Sequence, residues 1–90
     1  NSTVAGENLS CATTGSGVSF AAFDSDTKYA MIDVQDNNVI VTFDGSTPTA
    51  SNGHLLVKEK GLITLSFQAA KAAKFLGVSG VSIVHVSQFL

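Results

Sequence analysis

Arginine and tryptophan are absent from this 90-residue chain, and cysteine, proline, methionine and tyrosine occur once each. The five lysines (Lys28, Lys58, Lys60, Lys71 and Lys74) are scattered, and the two that lie close together flank Glu59. With a net charge of −2, the chain lacks the clustered cations that face phosphates, so no nucleic-acid partner is expected. A single cysteine, Cys11, excludes an internal disulfide framework. It is expected as a small buried apolar side chain, because both histidines lie far along the chain and no base accompanies the thiol. No apolar run approaches the roughly 20 residues of a membrane-spanning helix, and no basic-then-apolar leader opens the sequence. The chain begins at Asn1 rather than methionine, as expected of a processed or trimmed product. The triplets Asn1-Ser2-Thr3 and Asn8-Leu9-Ser10 match the glycosylation sequon, a pattern common by chance.

Charge of either sign is scarce. Charged residues are 13% and hydrophobic residues 44% of the chain, against about 25% charged in an average soluble domain. Ninety residues make one domain with one modest core. A surface so poor in charge favours a chain that packs against other chains.

What the chain does have is alternation punctuated by polar turns. Residues 1–16, rich in Ser, Thr, Gly, Asn and Ala, are expected as an extended N-terminal arm with a weak strand over 9–13, followed by a flexible Gly15-Ser16-Gly17 turn. Residues 17–90 are expected as one β-sandwich domain. Short strands are expected over 18–23, 28–35, 39–43, 54–58, 62–67 and 82–89. Asp36-Asn37-Asn38 predicts a tight turn joining 28–35 to 39–43 as the central hairpin. Asp24-Ser25-Asp26-Thr27 predicts a solvated turn, not a calcium loop, because the remaining oxygen ligands and the glycine of such a loop are missing. Residues 68–76 (QAAKAAKFL) are the one helix-like window, expected as a single turn or irregular crossover that presses Phe75 and Leu76 into the core. The fold class is therefore all-β: a small antiparallel sandwich or jelly-roll-like barrel of six to eight short strands, with at most one helical turn near 68–76.

The stretch 39–54, VIVTFDGSTPTASNGH, organises the rest. Asp44-Gly45 is a strong turn dipeptide in which glycine supplies positive φ and the carboxylate accepts from the following amides. Thr47 precedes Pro48 and is held extended, and Pro48 stops ladder pairing. Gly53 releases the chain into His54-Leu55-Leu56. Asp44, Ser46 and His54 are the residue types of a catalytic triad, but no nucleophile elbow presents the serine, so catalysis is not expected. His54 is expected to anchor the loop by hydrogen bonding, and His85 to be a satisfied core or interface histidine. Two isolated histidines do not make a zinc site. No catalytic, metal-binding or cofactor-binding residues and no cofactor are expected.

Three runs carry a family resemblance: Tyr29-Ala30-Met31-Ile32-Asp33-Val34, then residues 39–50, then Gly53-His54-Leu55-Leu56. Together they resemble small structural proteins of tailed bacteriophages. Those proteins pair an alternating A-x-I-x-V strand with a strand ending in D-G-[ST]-x-P-T-A and a G-H-x-L return. The likeness continues through 62–67, Lys74-Phe75-Leu76 and 83–86, and covers residues 28–88. It implies a non-enzymatic capsid decoration or cement protein on the virion surface, bound to the major capsid protein and to itself, commonly as a homotrimer. This chain departs from the pattern twice. Residues 39–43 replace an arginine-rich strand, and 56–61 replace an A-G-[DE] turn. The N-terminal arm (1–14) and the 45–53 loop are the expected contacts with a partner. The decamer from Thr42 to Ser51 is also similar to a motif in immunoglobulin-like modules of chitobiase-type glycoside hydrolases, which implies an alternative, an accessory module for carbohydrate or a cell surface. Six phenylalanines and one tyrosine leave that alternative little for sugar stacking.

Overall fold

A computed structural model describes residues 6–21 and 23–90. Strands β1 (Glu7–Cys11), β2 (Tyr29–Gln35), β3 (Val39–Thr42), β4 (His54–Leu56), β5 (Ile63–Ser66), β6 (Lys74–Gly77) and β7 (Ser82–Phe89) are joined by one helix, α1 (Phe67–Ala72). They form two antiparallel sheets, ordered β1-β7-β2-β5 and β4-β3-β6. The chain is an all-β sandwich.

Strict alternation builds the larger sheet. Ala30, Ile32 and Val34 of β2 and Ser82, Val84, Val86 and Gln88 of β7 point inward, and the strands pair from Tyr29↔Phe89 to Gln35↔Ile83. Val39, Val41 and Phe75 of the smaller sheet close one core with them. Phe20 and Phe75 meet edge-on at 5.3 Å between centroids, the geometry that ring quadrupoles favour. A buried polar knot lies at the edge of this apolar interior. The Gln88 side-chain oxygen accepts from Thr27 Oγ1 (2.6 Å) and the Asp24 amide (3.1 Å), tying the 24–27 turn to β7.

Four expectations change. The 36–38 turn does not close a hairpin, since β2 and β3 lie in different sheets and the turn carries the chain across the sandwich. The Ser82 hydroxyl lies within 2.8 Å of the Gln35 carbonyl and 2.6 Å of the Asn37 carbonyl, and Asn37 Nδ2 donates to the Val81 carbonyl, so distant residues set its path. The strand expected over 18–23 reduces to a bridge at Val18, with Phe20 filling the core, while Ala22 lies outside the described residues. The helix-like window splits. Ser66 caps α1 by accepting the Ala69 amide (3.2 Å), and Lys74-Phe75-Leu76 belongs to β6, where Phe75 and Gly77 turn inward and Leu76 stays half-exposed. Four residues of alternation behind a run of alanines and lysines are too few to outweigh helix propensity in the sequence.

The fourth change concerns the arm. The weak strand expected within it is present over Glu7–Cys11, but as an edge strand of the larger sheet paired with β7, with Cys11 buried in the core as expected. Deleting residues 1–14 would therefore remove a strand of the sandwich, and the arm expectation narrows to residues 1–5, which lie outside the described residues. Burial pushes the Cys11 thiol up to about 11. A raised folded-state pKa gives stability that is intact below the ordinary thiol value and declines as pH rises from there toward about 11. Native protein at pH 8 is expected to leave Cys11 unmodified by a water-soluble alkylating reagent, with full labelling in urea. Rapid native labelling would contradict the burial.

Candidate functional site

The 44–53 loop forms because its polar side chains satisfy its own backbone. Asp44 Oδ1 accepts from the Ser46 amide (3.0 Å) and hydroxyl (2.5 Å), closing an Asx turn around Gly45. Thr42 Oγ1 donates to the Ser46 carbonyl (2.6 Å), and Lys74 Nζ reaches over from β6 to the Gly45 carbonyl (3.1 Å). Asn52 Nδ2 donates to Ser46 Oγ (3.0 Å) and the Thr47 carbonyl (3.1 Å), and Thr49 and Asn52 exchange both backbone bonds. Pro48 is fully buried. A Cβ on Gly17 would stand 3.0 Å from Pro48 Cδ, so the loop is pinned from behind by the chain approaching Val18.

The three triad-type residues gather in this region but do not form a relay. Ser46 Oγ donates to Asp44, whereas His54, exposed at the start of β4, lies against the Phe43 ring at 5.9 Å and 37°. Among the described residues the expected anchoring hydrogen bond from His54 is replaced by this ring contact. The anchor of the loop is Asn52, which sequence reasoning passed over because asparagine in a polar run carries no distinguishing signal. His85 sits on the outer face of β7, half-buried and hydrogen-bonded to Asn8, with Asp33 opposite on β2. It is satisfied but does not face the core. In the 24–27 turn the Asp24 carboxylate is engaged, its Oδ1 accepting the Asp26 amide (2.8 Å).

Between the end of β3 and the start of β4 lies an open recess of about 320 Å³, lined by Thr42, Phe43, Asp44, Asn52, Gly53 and His54. Hydrogen bonds from Ser46 to its carboxylate hold Asp44 below the usual range. A depressed folded-state pKa stabilises the fold above the unfolded carboxylate value, and that contribution is lost as pH falls through the folded one. Asp44→Asn is therefore expected to flatten the acid limb of the stability–pH curve below about pH 4. An unchanged limb in urea titrations would show that the Asx turn does not hold the loop.

A second feature lies along the sides of the sandwich. One side is closed by the chain itself. The Gly77 amide donates to the Ala12 carbonyl (2.8 Å), Val18 and Phe75 exchange backbone bonds (2.9 and 2.8 Å), and the Glu7 carboxylate accepts the Ala21 amide. That places the β4 and β5 edges on the opposite side, joined by residues 57–62. Leu55, Val57 and Leu62 are exposed there at 56%, 39% and 63%, and neither edge strand carries a charge or a proline. Edge strands are ordinarily protected by such residues or by covering chain.

No protein-family model, curated protein or solved structure matches this chain.

Proposed function

We propose that the chain is a non-enzymatic virion structural protein, a capsid decoration or cement protein that binds the head lattice and stabilises it, in contact with the major capsid protein and with copies of itself as a trimer. The observation that carries this reading is the asymmetry of the sandwich. One flank is closed by residues 12–21, and the other presents two strand edges without charges of their own, with exposed Leu55 on β4 and with exposed Val57 and Leu62 at the two ends of the joining segment that also carries Lys58, Glu59 and Lys60. Such a flank buries apolar area and offers unpaired backbone groups to a neighbouring chain. Repetition on a lattice raises avidity without strong single contacts. The likeness of residues 28–88 to small tailed-phage proteins supports the same reading. Purified protein mixed with capsids that lack it is expected to cosediment at a fixed copy number per coat subunit, and Leu55→Asp with Leu62→Asp to abolish occupancy while the monomer stays folded. A strict monomer in solution that fails to sediment with particles defeats the reading.

The alternative, a carbohydrate-binding accessory module, is favoured by the recess beside the 44–53 loop and by incomplete aromatic burial. Phe20 and Phe75 are buried, but Phe23, Phe43, Phe67 and Phe89 retain partial exposure.

A further inference from the structure

We infer that the recess between β3 and β4 is a binding site for a single neutral hexose at the end of a glycan. The inference gives the carbohydrate reading its site and ligand class and rests on that reading, and it is independent of lattice attachment. A pyranose presents hydroxyls in its plane and a C–H face above it, so a site needs fixed acceptors beside an aromatic wall. The recess brings both together. Asp44 spends Oδ1 on Ser46 and leaves Oδ2 without a partner among the described residues. Asn52 spends Nδ2 on Ser46 Oγ and the Thr47 carbonyl, which fixes the carboxamide and leaves its oxygen as an acceptor. Phe43 and His54, tilted at 37°, supply the wall.

Acceptors already held in place lose little freedom on binding. The depressed pKa of Asp44 keeps the carboxylate ionised and purely accepting at neutral pH. It is the one carboxylate among the lining residues, so an acidic sugar would set its own carboxylate against it. The volume, about 320 Å³, lies at the small end of ligand sites and suits one ring, not an oligosaccharide.

The test is an NMR titration of the ¹⁵N-labelled chain with the methyl glycosides of glucose, galactose and mannose, and with a sialoside as the acidic counterpart. At least one hexoside is expected to shift the amides of Phe43, Asp44, Asn52, Gly53 and His54 saturably, with a Kd on the order of millimolar for so small a ligand. The sialoside is expected to shift none of them. Asp44→Asn is expected to weaken binding about tenfold or more, the effect of removing a charged acceptor. His54→Ala provides a second variant at a side chain that makes no hydrogen bond among the described residues, and it is expected to weaken binding with the remaining spectrum unchanged. The inference is overturned if no hexoside shifts these amides, if the sialoside binds as well, or if both variants bind like the parent. Capsid cosedimentation is scored separately, so failure of this site leaves the lattice result standing.

Discussion

Replacing Phe75 by alanine is expected to lower stability by about 3–5 kcal/mol, the range for emptying a fully enclosed aromatic site. Phe75 is 0% exposed. Its ring stands edge-on to Phe20 at 5.3 Å, and its backbone is paired on both sides, with Val41 in β3 and with Val18 across the closed flank. The surrounding backbone is therefore tied and cannot collapse into the void, which places the cost at the upper end. Against a total stability of roughly 5–15 kcal/mol, the variant would be close to unfolding at room temperature. Equilibrium urea denaturation checks this through a large fall in midpoint at unchanged slope. A loss below about 1.5 kcal/mol would mean that Phe75 does not join the two sheets.

Gly53→Ala is expected to cost about 2–5 kcal/mol, combining backbone strain with overpacking. At φ +130° a side chain is strained whatever the space, and here there is none. A Cβ would stand 2.5 Å from Ile40 Cγ2 and 2.8 Å from the Val41 carbonyl, and a backbone oxygen within a strand cannot yield. Gly45→Ala separates the two contributions. Its φ is +86° with nothing within 4 Å of the added methyl, so only left-handed strain remains, about 1–2 kcal/mol. Equal losses at the two positions, measured by urea denaturation, would refute the close approach of the loop's return to β3.

The same two residues divide what the sequence could and could not say. Gly53 closes a loop whose features were legible locally. Asp-Gly, Thr-Pro and the hydroxyl run set a strand end, a self-satisfied connection and a re-entry, because side chains of adjacent residues decide all three. Phe75 lies in a strand that four residues of alternation behind α1 did not announce. Asn52 holds the candidate site through bonds to Ser46 and Thr47 within the loop, which no distinctive residue type announced, and Lys74 reaches Gly45 across 29 positions, a distance over which local patterns carry no information.

By itself, then, the sequence determined the all-β class, the period-two alternation of β2 and β3, and the turn at the end of β3. Period-two alternation and turn chemistry are short-range, and each specifies which side of a strand is apolar. Which strand pairs with which was decided only in three dimensions. The inner faces of both sheets carry the same pattern, so Ile32 and Val34 could as well have stood beside Val39 and Val41 as across from them. The placement came from the bonds of Ser82 to the 36–38 turn, from β1 joining β7, and from residues 12–21 closing one flank. The stretch 39–54 thus fixed its own shape and by itself lines the recess, while the open flank beside β4 exists only because distant strands took their places around it.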